Sequence, residues 1–277
     1  MNHLPLNLCL TFHCLYKKGL DNPLVNQELF ISTENIKKLC NNLKSKGYNF
    51  CLPETTIENQ RNCILTFDDG YYNNFYFLEI ADELKIPFIV FLTGYNIETN
   101  SPFLWDTIPY SKLNLKYWNT DYSVSYNKVI ESKLKLNDSI HRPFSIEELN
   151  SIGQNDYIKF GYHGYYHQPF TYFGEHFITR EINESEKFMN KIKYNKLNHF
   201  AFPNGLYSFY SKWKIKSKYD FIYTIQSGEF SNKSKFINRF SLLNPDIYGS
   251  LEGQIIKANR ISRRIIRKIH TLKASYF

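Results

Sequence analysis

The chain has 277 residues, of which 43% are hydrophobic and 22% charged, a composition that excludes disordered and fibrous classes and suits one buried α/β domain. Lys and Arg exceed Asp and Glu by a formal +8, and no apolar run approaches the roughly 18 residues that would span a bilayer. The opening MNHLPLNLCLTFHCLY has no basic n-region and no small-residue cleavage site, so no export signal is expected and the location should be cytoplasmic or peripheral to a membrane. Five cysteines, Cys9, Cys14, Cys40, Cys51 and Cys63, form no C-x-x-C pair and read as reduced, mostly buried thiols.

Leu6 to Phe12 reads as a buried strand ending at His13. A helix follows: Ser32 can cap it, Ile36, Leu39, Cys40 and Leu43 share one face, and Gly47 supplies a left-handed stop. Cys63 to Phe67 is a second strand that delivers Asp68-Asp69-Gly70-Tyr71 at its C-terminal end, and a helix through Phe77, Ile80, Ala81 and Leu84 leads to the strand Phe88 to Leu92. From about Tyr95 to Gln154 the periodicity weakens; this segment, with Trp105 and Trp118 and a capping box at Ser145 and Glu148, reads as an insertion over one face. Order returns with strand Tyr157 to Phe160, the loop GYHGYYH, a helix carrying Ile178, Ile182, Phe188 and Ile192, strand Phe200 to Phe202, and further strands near Phe221 to Thr224 and Phe236 to Phe240.

Two constellations carry chemistry: Thr66-Phe67-Asp68-Asp69-Gly70 and Gly161-Tyr162-His163-Gly164-Tyr165-Tyr166-His167, each placed directly after a predicted strand. Paired Asp residues in a turn often only cap backbone, and a lone HxxxH is common on helices. Together, two imidazoles and one carboxylate form a facial set for Zn²⁺ or a similar divalent ion, and the remaining Asp is free to act as general base toward a water.

TFDDG, then HxxxH, then FAFPNG (Phe200 to Gly205) in that order resembles the polysaccharide deacetylase family, also called the NodB-homology family or carbohydrate esterase family 4. The likeness runs from about Leu6 to Arg239, and it implies a distorted (β/α) barrel with a metal site at the C-terminal ends of its strands. Carried over residue by residue, it makes Asp68 the general base and Asp69, His163 and His167 the ligands of a divalent ion, Zn²⁺ first. It also lets the Asn204 backbone amide stabilise an oxyanion. Two departures stand out. No arginine precedes the Pro203-Asn204 step, which makes Arg239 the candidate to orient Asp68, and no late catalytic histidine is present, which makes His13 the substitute general acid.

The implied function is hydrolysis of an N-acetyl or related N-acyl group from an amino sugar in a polysaccharide, an oligosaccharide or a lipid-linked glycan. The alternative is a non-catalytic glycan-binding protein of the same fold. Phosphoryl transfer fits poorly, because no phosphate loop accompanies the Asp pair. The expected organisation is a barrel over residues 1–250 followed by a basic amphipathic helix over 251–277. In that helix Lys257, Arg260, Arg263, Arg264, Arg267, Lys268 and Lys273 alternate with Ile256, Ile261, Ile265, Ile266, Ile269 and Leu272. Such a helix either lies on an anionic membrane surface or packs on the barrel with a solvated basic face; no nucleic-acid motif accompanies the charge.

Overall fold

Apolar runs of strand length, each followed by an amphipathic helical run, produce a parallel sheet wrapped by helices, because both faces of such a sheet must be covered. The computed structural model describes residues 4–23, 26–107, 141–171 and 174–274. The strands are β1 (Asn7–Phe12), β2 (Cys14–Tyr16), β3 (Phe30–Ser32), β4 (Tyr48–Phe50), β5 (Arg61–Phe67), β6 (Phe88–Leu92), β7 (Ile158–Tyr162), β8 (Lys196–Ala201), β9 (Phe221–Tyr223), β10 (Phe236–Ile237) and β11 (Phe240–Ser241). The main sheet runs β10-β9-β8-β7-β6-β5-β1-β11 with β4 also on β5, and every pairing in it is parallel. β2 and β3 form a separate parallel pair.

The helices are α1 (Thr33–Ser45), α2 (Tyr76–Leu84), α3 (Gly94–Thr99), α4 (Leu104–Thr107), α5 (Ile146–Ile152), α6 (Glu175–Met189), α7 (Phe209–Lys218), α8 (Pro245–Tyr248) and α9 (Leu251–Ala274). Their caps follow the sequence signals. Ser32 accepts from the Asn35 amide at 3.2 Å, and Ser145 and Glu148 close the reciprocal capping box at the start of α5.

The sheet curls into a distorted barrel. Its two edge strands, β10 and β11, are separated only by Asn238 and Arg239, so the Cα atoms of Ile237 and Phe240 lie within about 11 Å of each other. The expected single strand Phe236 to Phe240 is therefore two short strands at opposite edges, broken where the chain crosses the seam. Alternation along the strands sorts the core: Cys9, Ile64, Ile89, Phe91, Ala201 and Tyr223 cluster inside the curl, while Leu8, Leu10, Phe12, Leu65, Phe67, Phe88 and Val90 pack outward against α1 and α2.

Other boundaries also move. Strand β7 continues through Gly161 and Tyr162, which the sequence placed in a loop, because Gly161 leaves room for the Phe91 ring where a Cβ would stand 2.5 Å from it. Ile192 lies beyond the end of α6 but remains buried. The weakly periodic segment from Tyr95 opens with α3 and α4 and closes with α5; Trp118 lies outside the described residues. All five cysteines are free and buried. Helix α9 packs through Leu251 and Ile255, and Glu252 bonds Asn42 and Lys46 at the end of α1. The side chains from Arg263 onward lie outside the description, and no described helix is long and apolar enough to cross a membrane.

Candidate active site

Strand alternation aims Ile64, Thr66 and Asp68 into the barrel, so a regular strand would turn Asp69 away. The backbone instead enters the left-handed region at Asp69 (φ 76°) and Gly70 (φ 86°), and this turns the second carboxylate back toward the first. His167 (φ 55°) and Asn204 (φ 53°) are likewise left-handed, so three of the expected site residues hold a conformation that costs an L-residue of order 1 kcal/mol or more. Such strain persists only where surrounding contacts impose it.

Asp69 Oδ1 lies 3.4 Å from His163 Nε2 and 3.2 Å from His167 Nε2, and the ligand atoms of all three lie within 4.8 Å of one another. These residues are buried, and Asp69 Oδ1 is in no hydrogen bond, so the short approaches are convergent donor atoms rather than satisfied pairs. Four ligands at about 2.0 to 2.1 Å in tetrahedral array stand about 3.3 Å apart, which matches the observed spacing. His163 Nδ1 lies 2.9 Å from the Ala201 carbonyl; donation there leaves the Nε2 lone pair facing the site. Burial pulls His167 below the ordinary imidazole range, which favours the neutral ligand form. For Asp69, burial works upward, but the two imidazoles win and hold its carboxyl far below the usual range. The set therefore fits a divalent cation, and it is the one cluster of this kind among the described residues.

Asp68 stands beside this set, its Oδ2 3.9 Å from His163 Nε2. Arg239, fully buried at the seam, donates from Nη1 to Asp68 Oδ1 at 2.6 Å and from Nη2 to Oδ2 at 2.8 Å, while its Nε donates to the Thr224 carbonyl at 3.1 Å. Burial pushes Asp68 upward in pKa, but the guanidinium charge outweighs it, so the carboxyl sits below its ordinary value and is ionised at neutral pH. His13, at the bend between β1 and β2, lines the same cleft and has a buried Nδ1 without a hydrogen-bond partner. Asn204, after β8, lines it too. The cleft is about 660 Å³ and contains every site residue expected from sequence except Arg239, which lies behind Asp68.

Five supporting groups had no site role in the sequence reading: Glu181, the Ala201 carbonyl, Trp105, Tyr71 and Asp106. Glu181, on the buried stripe of α6 with Ile178 and Ile182, accepts the Tyr165 amide at 2.7 Å and the Tyr166 amide at 3.2 Å, and so clamps the loop between the two histidines. A carboxylate inside an apolar helical stripe was the readable signal. The Ala201 carbonyl had no such signal. Trp105 packs its ring 4.4 Å from that of His167 and donates from Nε1 to Tyr71 Oη at 2.7 Å. Tyr71, the residue after the Asp-Asp-Gly turn, in turn donates to Asp106 Oδ2 at 2.7 Å.

Among solved structures the chain is similar to a polysaccharide deacetylase from Bacillus cereus, at 15% identity and TM-score 0.61, covering 91% of this chain and 68% of that one. It is also similar to the deacetylase PplD of Streptococcus pyogenes in complex with acetate, at 15% identity and TM-score 0.61, covering 89% and 99%. A third is IcaB from Ammonifex degensii, at 13% identity and TM-score 0.61, covering 92% and 99%. These likenesses establish the fold. No curated protein matches the chain. Residues 56–221, more than half of the chain and spanning both the Asp-Asp-Gly turn and the HxxxH loop, match the family described as Polysaccharide deacetylase, and the chain belongs to that family.

Proposed function

We propose that this protein is a metal-dependent hydrolase that removes an N-acetyl or related N-acyl group from an amino sugar within a glycan. The observation that carries this reading is the convergence of Asp69, His163 and His167 beside Asp68, a carboxylate kept ionised by Arg239 in a cleft. Asp69, His163 and His167 would hold the ion, with Zn²⁺ suited to two imidazoles and one carboxylate. When bound, such an ion polarises a carbonyl and acidifies water.

The chain's own groups supply the rest. Asp68 accepts the proton of the attacking water, and Arg239 fixes the direction of its lone pairs through two hydrogen bonds. The Asn204 backbone N–H donates to the oxygen that becomes negative as water adds to the acyl carbon. His13 donates a proton to the departing nitrogen as the C–N bond breaks, which yields a carboxylate and a free amine. The structural comparison supports the fold in which this chemistry is housed; the assignments of Asp68, Asn204, His13 and Arg239 rest on position and chemistry.

The test is release of acetate from an N-acetylglucosamine oligomer by Zn²⁺-loaded protein and by Asp68→Asn. Turnover by the first and not the second supports the reading. Tight oligomer binding with no acetate release from either would reject it in favour of a glycan-binding protein of the same fold.

A further inference from the structure

The two histidines that face Asp69 are held in different ways. His163 has its outer ring nitrogen, Nδ1, 2.9 Å from the Ala201 carbonyl oxygen, a bond that fixes both its tautomer and the plane of its ring. His167 Nδ1 is buried and has no hydrogen-bond partner among the described residues. Glu181 does not supply one: its carboxylate takes the Tyr165 and Tyr166 amides and so holds backbone, not the imidazole. A ligating imidazole with nothing bonded to its far nitrogen keeps its plane only if its neighbours prevent rotation about χ2, a broad and soft torsion.

Trp105 supplies that restraint. Its ring centroid lies 4.4 Å from that of His167 with the planes 49° apart, and the Phe103 ring stacks on the indole at 5.2 Å and 21°. The indole is pinned in turn, because Nε1 donates to Tyr71 Oη at 2.7 Å and Tyr71 Oη donates to Asp106 Oδ2 at 2.7 Å. The Trp105 carbonyl also accepts from Asn26 Nδ2. Phe103, Trp105, Tyr71 and Asp106 are all buried, so water does not compete for these bonds. Tyr71 stands two residues after Asp69 in the left-handed turn, and the brace therefore ties the carboxylate turn after β5 to the imidazole loop after β7 through a residue of α4. Trp105 lines the cleft as well, but at 4% exposure it leaves little ring for a sugar to stack on.

We infer that Trp105 is a positioning residue for His167 and that Tyr71 pins it, so that ring packing takes the place of the hydrogen bond that His167 lacks. This role rests on the metal-dependent reading above, with Asp69, His163 and His167 as the ligands.

Zn²⁺ affinity is measured against a competing chelator for the full-length protein and for Trp105→Leu, Trp105→Phe and Tyr71→Phe, each checked for folding by its metal-free melting curve. Trp105→Leu should weaken affinity by about 10 to 100-fold. Trp105→Phe keeps a flat ring beside His167 and should lose less. Tyr71→Phe should also weaken binding, and adding it to Trp105→Leu should bring no further loss, since the ring it holds is already gone. With Co²⁺ in place of Zn²⁺, the visible absorption bands of Trp105→Leu should shift from those of the wild type, a change in ligand geometry that lowered stability alone does not produce. If Trp105→Leu fails to fold, the comparison of Trp105→Phe and Tyr71→Phe with the wild type carries the test. Unchanged affinity and unchanged Co²⁺ bands in the folded variants would overturn the proposal, as would additive losses in the double variant. A raised KM with unaltered metal affinity would make Trp105 a sugar contact instead. Failure of the wild type itself to bind Zn²⁺ would overturn the metal-dependent reading, and this role with it.

Discussion

Arg239 and Asp68, 171 residues apart in the chain, meet as a two-point ion pair at the seam of the barrel, with the guanidinium fully buried. The fork places both carboxylate oxygens at once, which a point charge does not. Arg239→Lys is expected to lower kcat by roughly ten- to hundredfold while the barrel remains folded. Arg239→Met, which leaves a buried carboxylate without its partner, should cost about 3 to 5 kcal/mol in urea denaturation. Unchanged kcat in the Lys variant would remove Arg239 from the positioning of Asp68.

Neighbouring carboxylates should separate by role. On the proposed assignment Asp68→Asn would remove a base without removing a ligand, so metal content should persist while turnover falls by about 10² to 10⁴. Asp69→Asn should lose the ion itself. Metal analysis of the two purified variants beside their kcat values distinguishes them, and the opposite pattern would exchange the assignments.

Glu181 holds the loop between His163 and His167 through two backbone amides. Glu181→Ala is expected to weaken Zn²⁺ affinity by about 10 to 100-fold, as loss of groups that orient ligands generally does. Calorimetric titration of the metal-stripped protein measures this directly. A lower melting temperature with unaltered affinity would assign Glu181 to stability alone.

Asp106 is buried behind Trp105, and its pKa is pushed up to about 8: burial is the main cause, the Tyr71 hydroxyl opposes it, and the Asp69 charge adds to it. A raised acid is neutral in the fold but ionised in the unfolded chain above about pH 3.9, so it takes stability away progressively from there up to pH 8. Asp106→Asn, close in shape to the neutral acid, should therefore gain on the wild type as pH rises from 5 to 8. Melting curves of both proteins across that range, recorded without metal, test it; a constant difference would show that Asp106 does not titrate there.

The periodic segments could be read directly because their signals are local. Ser32, Ser145 with Glu148, and Gly47 act on amides and dihedrals within a few residues, and the apolar runs of β1, β5 and β6 bury themselves wherever the chain packs. The split of Phe236 to Phe240 could not be read, because two strands of two residues have no periodicity and only sheet closure decides to which edge each belongs.

By itself the sequence determined the parallel α/β architecture, the family, and the residue types gathered in the cleft, since strand ends, glycine-flanked turns and the order of motifs are written in adjacent positions. Only the tertiary structure decided that Asp69 turns back toward Asp68, that Glu181 and the Ala201 carbonyl hold the two histidines, and that Arg239 closes on Asp68 across the seam. Those relations depend on left-handed backbone and on the curl that brings residues far apart in the chain to one site, and neither is encoded in any short window of residues.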